Sequence, residues 1–268
     1  MNPRDYVANM MRAQRAAAAP STDTRPGVLP PSPETFYSNY QFSFTNNWFS
    51  YVRKGVSDAI APYVVPGDPI RILEIGTYEG SSAMWFLTNL CGNPGSSITT
   101  IDRLSNPLFN ENLAKLSTED RAKINVINGF SSDALLALKQ TYDLVYIDGS
   151  HFPDDVLEDA VISFKLLNTR GLMIFDDYNY NSMVEFAYLS PYDREKYATD
   201  FCKASINDKM GDQFISVKDA PDTIYLHQTI NTFAAIYSPR LTRVPCSNVH
   251  TAVFMKVRES FGSQCFQH

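Results

Sequence analysis

The sequence predicts an α/β fold: a seven-stranded, mostly parallel sheet with a terminal antiparallel strand and helices on both faces. Three observations carry that prediction. From residue 71 onward, short β-rich runs alternate with helical stretches. Glycines and acids fall directly after the apolar runs, where ligands of such sheets gather. The chain then closes with two further β runs, 241–244 and 251–257, separated by a turn-like stretch beginning Pro245-Cys246-Ser247-Asn248, the pattern of an antiparallel pair.

The first 35 residues hold 6 of the 16 prolines and the run Ala16 to Ala19, which favours extended, poorly packed backbone. Residues 1–35 therefore read as a flexible arm, and 36–268 as a single domain. An aromatic cluster follows, Phe36, Tyr37, Tyr40, Phe42, Phe44, Trp48, Phe49 and Tyr51, leading into a helical pattern at Trp48, Val52, Val56 and Ile60. The spacing predicts a helix packed on the core, with a substrate wall or a subunit contact as the alternative. Strands are expected over 71–75, 98–101, 124–127, 144–147 and 172–175, with helices between them. Residues 178–220 are polar and tyrosine-rich with weak periodicity, longer than an ordinary connection, and read as an insertion or lid. A last helix is expected over 223–237.

Composition narrows the function. Apolar residues are 44% and charged residues 19% of the 268, the profile of a globular chain. A net charge of −6 supplies no field for phosphate backbones, so nucleic acid is not an expected partner. No apolar stretch is long enough for a membrane span and no signal peptide is evident, so the expected compartment is cytoplasmic. Four dispersed cysteines without a CxxC pair argue against zinc and against a disulfide framework.

Two constellations carry chemistry. The first is Ile72-Leu73-Glu74-Ile75-Gly76-Thr77-Tyr78-Glu79-Gly80-Ser81-Ser82, a strand running into a glycine-flanked turn and a helix. Gly76 and Gly80 lack the Cβ atoms that would block a nucleoside, and the helix N-terminus offers free N–H groups. The spacing is Gly-x-x-x-Gly, not the Gly-x-Gly-x-x-Gly of dinucleotide folds, which demotes a nicotinamide oxidoreductase. Asp102, ending the second strand, suits a ribose diol. Ser131 and Ser132, after the third strand, suit either an adenine contact or a helix cap.

The second constellation is Tyr146-Ile147-Asp148-Gly149-Ser150-His151, followed by a helix and then Phe175-Asp176-Asp177-Tyr178. Adjacent strands end about 5 Å apart, so Asp148, Asp176 and Asp177 converge and repel one another unless a cation intervenes. All-oxygen ligation points to Mg²⁺, Mn²⁺ or Ca²⁺. His151, three residues past Asp148, is placed to act as a general base toward a substrate hydroxyl.

Together these motifs resemble class I S-adenosylmethionine-dependent methyltransferases, in particular members combining a Leu-Glu-Ile-Gly turn with Asp-Gly-Ser-His and Asp-Asp-Tyr. The resemblance spans about residues 70 to 180 and implies a Rossmann-like methyltransferase fold. It implies further that Glu74, Gly76, Tyr78, Gly80 and Ser82 surround the methionine part of S-adenosylmethionine, that Asp102 holds the ribose, and that Ser131 and Ser132 lie near the adenine. Catechol-type and macrocin-type sugar O-methyltransferases place metal-binding carboxylates after strands four and five, here Asp148, Asp176 and Asp177. His151 stands where catechol-type enzymes carry a lysine, which favours a sugar acceptor. The leading expectation is thus a metal-dependent O-methyltransferase, with His151 and Asp148 catalytic and a small-molecule or glycan acceptor bearing a vicinal diol. A phenolic acceptor and a non-catalytic cofactor-binding module are the alternatives. The aromatic segment is also available for homo-oligomer contacts.

Overall fold

A computed structural model of the chain describes residues 40–65, 67–179 and 226–258. The expected arm lies outside the described residues, as does the expected 178–220 insertion apart from Tyr178 and Asn179. In chain order the described elements are α1 (Phe49–Ile60), β1 (Arg71–Ile75), α2 (Ser81–Leu90), β2 (Ser97–Asp102), α3 (Pro107–Ala114), α4 (Thr118–Lys123), β3 (Ile124–Asn128), α5 (Ser131–Ala137), β4 (Tyr142–Ile147), α6 (Pro153–Leu166), β5 (Leu167–Phe175), α7 (Leu226–Tyr237), β6 (Leu241–Val244) and β7 (Ala252–Lys256).

The sheet runs β3-β2-β1-β4-β5-β7-β6. The first five strands are mutually parallel, while β7 lies antiparallel to both β5 and β6. Order reverses between β1 and β4, the crevice at which open α/β sheets bind ligands. Side chains alternate between two cores, as a pleat of period two requires. Ile72, Leu144, Tyr146, Leu172 and Ile174 meet α1 and α2 on one face, through Phe49, Val52, Val56, Trp85 and Phe86. Leu73, Val145, Ile147, Met173 and Phe175 meet α6 and α7 on the other, through Val156, Phe164, Ile230 and Phe233. These strands are buried on both faces, which is why they read as unbroken apolar runs.

Two differences from the sequence reading have local causes. β5 begins at Leu167, not near Leu172. Its early part, Asn168-Thr169-Arg170-Gly171, has the composition of a turn, and Arg170 indeed takes φ 70, yet the backbone stays in the sheet. The helical face around Trp48 is also displaced. Phe49, Val52, Val56 and Ile60 are buried, whereas Trp48 immediately precedes the helix and is 49% exposed. No described helix is long and apolar enough to cross a membrane.

Candidate active site

The parallel ladder continues one residue beyond each strand, which fixes where the loops begin. Gly76 N–H donates to Ile101 O at 2.8 Å, Asp148 N–H to Ile75 O at 2.8 Å, Asp176 N–H to Ile147 O at 3.0 Å, and Gly129 N–H to Asp102 O at 2.9 Å. The two acid-bearing loops and the glycine turn therefore leave the sheet side by side at its carboxyl edge.

At the first constellation, Gly76 and Gly80 adopt φ 88 and φ 83. A Cβ on Gly76 would lie 1.9 Å from the carbonyl oxygen of Asp148, and one on Gly80 would lie 2.3 Å from the Phe109 ring. Both positions exclude side chains because protein already occupies the space, which differs from the expected reason of clearance for a nucleoside. Glu74 is fully buried. Ser82 Oγ donates to its Oε1 at 2.6 Å, and its Oε2 has no partner among the described residues. Burial pushes its carboxyl up to about 8, against smaller opposing pulls from the Ser82 and Thr77 hydroxyls. A buried acceptor without a donor is costly, and an ammonium group is the natural complement.

Tyr78 sits in the left-handed region at φ 49 and is 44% exposed. Its N–H donates to Asp102 Oδ2 at 2.7 Å, joined there by Thr77 N–H at 3.0 Å, while Leu104 N–H reaches Oδ1 at 3.0 Å. Asp102 thus organises the β1 turn as well as closing its own strand. Its remaining lone pairs retain capacity for a diol. Ser131 does not cap its helix, whose N-cap is Phe130; its hydroxyl instead bonds Asp159 on α6, a carboxyl that burial raises to about 6. Ser132 is half-buried in the first turn of α5. Leu104 and Phe130, 64% and 54% exposed, follow Asp102 and Gly129 at the ends of adjacent strands. They offer the apolar surface beside Asp102 that the serines do not, and the sequence reading passed over them.

At the second constellation, donor atoms of Asp148, His151 and Asp177 all lie within 4.8 Å of one another. His151 Nε2 is 2.9 Å from Asp177 Oδ2. Asp177 holds φ 50, a left-handed conformation that side chains other than glycine pay for, and such strain clusters at functional sites. Of the expected Asp148, Asp176 and Asp177, the structure groups Asp148 and Asp177 with His151, while Asp176 lies half-buried beside them and its charge acts on Asp148. Asp176 Oδ2 accepts from the Tyr146 hydroxyl at 2.6 Å, and its Oδ1 accepts from Asp177 N–H at 2.9 Å and from the Thr251 hydroxyl at 3.5 Å. Burial and the neighbouring Asp176 and Asp177 charges push the Asp148 carboxyl well above the ordinary range. Asp176 rises to about 7, by burial and then by Asp177. Both shifts follow from burying carboxylates that repel one another.

His250, which the sequence gives no company of acids, lies close to Asp177. Its carbonyl accepts Tyr178 N–H at 2.7 Å and its own N–H donates to Asn248 Oδ1 at 2.8 Å, so the β6–β7 turn docks against the loop that follows β5. Burial lowers its imidazole below the usual value, opposed by the charge of Asp177. Only the antiparallel closure of the sheet makes His250 a neighbour of these acids.

Segment 43–47 reaches across the turn after β1. Glu79, almost fully buried, accepts from Thr45 N–H at 2.7 Å, from the Thr45 hydroxyl and from Asn46 N–H at 3.3 Å. Asn112 receives Ser43 N–H at 2.9 Å and donates to Ser43 O at 2.9 Å, and the Ser81 hydroxyl donates to Asn47 Oδ1. The strap delivers Trp48 onto Tyr78, with centroids 5.3 Å apart and rings 25° from parallel.

The sheet order and the glycine turn after β1 make this a Rossmann-like, mostly parallel α/β fold. Residues 73–178 match the family described as a methyltransferase domain. Among curated proteins it is 29% identical over 119 residues to uncharacterized protein R132 of Acanthamoeba polyphaga mimivirus, covering 41% of this chain and 52% of that protein. It is 28% identical over 118 residues to O-methyltransferase hkm8 of Aspergillus hancockii, covering 44% and 46%. The chain thus spans about half the length of the curated relatives it matches. Among solved structures, an O-methyltransferase from Bacillus cereus in complex with S-adenosylhomocysteine aligns with TM-score 0.44 at 14% identity, covering 77% of this chain and 91% of that one.

Proposed function

We propose that the protein is an S-adenosylmethionine-dependent, divalent-metal-dependent O-methyltransferase acting on a hydroxyl of a sugar or glycan that presents a vicinal diol. The observation that carries this reading is the grouping of Asp148, His151 and Asp177 beside the β1 glycine turn at one edge of the sheet. The methionine ammonium fits the unpartnered Glu74 oxygen, the ribose fits Asp102, and Leu104 with Phe130 fits the adenine.

The donor set also fits a divalent ion, since the carboxylates of Asp148 and Asp177 converge at this edge. Asp148 and Asp177 would hold it with two oxygens of the acceptor, and when bound it supplies charge stabilisation for a developing alkoxide while the cofactor supplies an electrophilic methyl. The chain's own residues perform the remaining work. His151 Nε2 lies 2.9 Å from Asp177 Oδ2, so that carboxylate stabilises the imidazolium that forms when His151 accepts a proton. His151 takes the acceptor's hydroxyl proton. The Trp48–Tyr78 stack, half exposed at the same edge, presents a face on which a sugar ring packs.

Titrating S-adenosylhomocysteine into chelator-treated protein, and Mg²⁺ in a separate run, tests the reading without knowledge of the acceptor. Both isotherms are expected, with the metal isotherm lost in Asp177→Ala and cofactor affinity within a few-fold of wild type. Absence of cofactor binding overturns the assignment. Cofactor binding without a metal isotherm removes the ion from the mechanism.

A further inference from the structure

We propose that Tyr178 is a positioning residue, the joint through which α7, β6 and the β6–β7 turn hold the Asp176-Asp177 turn in its working conformation. The consequence for an ion rests on the functional reading above, whereas the geometry of the joint does not. Asp177 takes φ 50, and an aspartate persists in the left-handed region only where its surroundings over-determine it. On the N-terminal side the turn is referred to the sheet by Asp176, whose N–H donates to Ile147 O at 3.0 Å and whose Oδ2 accepts from the Tyr146 hydroxyl at 2.6 Å. On the C-terminal side Tyr178 supplies the restraint, and Asn179 Nδ2 adds a bond to Val249 O at 2.6 Å.

Tyr178 is gripped from three elements at once. Its N–H donates to His250 O in the β6–β7 turn at 2.7 Å. Its hydroxyl donates to Asn231 Oδ1 on α7 at 2.9 Å and accepts from Arg243 Nη1 on β6 at 3.3 Å. The same guanidinium lies over its ring, 4.8 Å from the centroid, and the His227 ring stands 5.8 Å away. A tyrosine offers a cation its face and offers a neighbour a hydroxyl that both donates and accepts, so phenylalanine keeps the first contact and loses the other two. Asn231 and Arg243 are exposed, so replacing either leaves both cores intact. On the site side of the joint, Asp177 Oδ2 lies 2.9 Å from His151 Nε2, and both residues share a ligand-sized space with Asp148. A turn released from α7 and β6 lets the backbone at Asp177 relax from φ 50 and carries that oxygen off its place.

The test compares Tyr178→Phe, Arg243→Met, Asn231→Ala and Asn231→Asp in the full chain by two readouts. The first is amide exchange of the unliganded protein. Tyr178→Phe, Arg243→Met and Asn231→Ala are each expected to accelerate exchange at the residue 178 amide about tenfold, as the loss of a hydrogen bond allows, while Val145 and Met173 keep their protection. Asn231→Asp retains the acceptor and is expected to exchange as the wild type does. Unchanged exchange at residue 178 in Arg243→Met and Asn231→Ala overturns the joint, and because both positions are exposed that result stands even if Tyr178→Phe does not fold. The second readout is titration with Mn²⁺ alone and with S-adenosylhomocysteine alone. Tyr178→Phe and Arg243→Met are each expected to weaken Mn²⁺ about tenfold and the double variant little further, because both act through one joint, with S-adenosylhomocysteine affinity held within about twofold. The sign in Arg243→Met is decisive. Through its charge alone Arg243 repels a cation at the acids, so tighter Mn²⁺ binding in that variant reduces it to a field effect and refutes the positioning role. Equal losses for both ligands would mark a general loosening of the fold and refute it as well. A wild-type protein that binds neither ligand overturns the functional reading, and the exchange experiment then decides the joint by itself.

Discussion

Glu74 stands on β1 with one oxygen bonded by Ser82 and the other buried without a partner among the described residues. Its carboxyl titrates at about 8 in the fold against 4.5 in the unfolded chain, so the native state binds a proton that the unfolded state gives up between those values. The stability this group contributes is fully present below pH 4.5 and is lost as pH rises toward 8, by an amount of order 5 kcal/mol at about 1.4 kcal/mol per unit. Asp176, raised to about 7, acts with the same sign. Urea unfolding of the cofactor-free protein is therefore expected to show lower stability at pH 8 than at pH 5, with a clearly shallower decline in Glu74→Gln. An ammonium donor beside the free oxygen reverses the balance, because the ionised carboxylate then has a partner. Binding of S-adenosylhomocysteine at pH 7 should release a proton, seen as a buffer-dependent calorimetric enthalpy, and Glu74→Gln should bind at least tenfold more weakly. An equal enthalpy in all buffers would detach Glu74 from the cofactor. Positions at this scale were legible in the sequence: Glu74 lies on β1, Asp102 closes β2, Asp148 and His151 follow β4, and Asp177 follows β5. What one residue does to another was less so, since the reason Gly76 must be glycine is the carbonyl of Asp148, more than seventy residues on.

Among the elements, the strap over residues 43–47 and the helix it feeds show how a correct pattern can be misassigned by one position. Val52, Val56 and Ile60 are buried as their spacing predicts, but the inward position one turn earlier belongs to Phe49, which packs against Trp85, Phe86 and Tyr146. Trp48 is carried outward because the strap is anchored to Glu79 and Asn112, contacts that no local periodicity contains. Removing the Glu79 carboxylate leaves several donors of the strap without an acceptor. At roughly 1.5–3 kcal/mol for a charged hydrogen bond, and with the bonds not additive, Glu79→Ala is expected to cost about 2–4 kcal/mol. Exchange at Thr45 and Asn46 should rise, and the indole emission of Trp48 should shift as it leaves Tyr78. A variant with wild-type stability and unchanged emission would show that α1 alone holds Trp48 in place.

On the scale of the whole molecule, the carboxyl edge of the sheet is shared by two half-sites that meet at the seam between β1 and β4. The residues proposed to bind cofactor lie on or just after β1 and β2, the acids follow β4 and β5, and the backbone of Asp148 lies against Gly76 with no room for a methyl group. Parallel order and strand ends were readable from the alternation of apolar runs with helical stretches. The contribution of β7 was not, because Thr251 and His250 reach Asp176 and Asp177 only through antiparallel insertion of β7 between β5 and β6. One consequence belongs to the assembled edge alone. A ligand that orders the turn at Gly76 also restrains Asp148, and an ion held by Asp148 restrains the turn, so the two bindings are coupled and the coupling is reciprocal. S-adenosylhomocysteine is expected to tighten Mn²⁺ binding by at least fivefold, and Mn²⁺ to tighten S-adenosylhomocysteine by the same factor. S-adenosylmethionine should show a smaller coupling, since its sulfonium places a positive charge near the ion and like charges repel. Gly76→Ala adds a left-handed alanine, at roughly 1–2 kcal/mol, to a clash with Asp148. It should weaken both ligands together, whereas Asp177→Asn removes the ion and leaves cofactor affinity at its uncoupled value. Independent isotherms in the wild type, each unaffected by saturation with the other ligand, would mean that the seam between β1 and β4 transmits nothing and that the two half-sites are neighbours only in space.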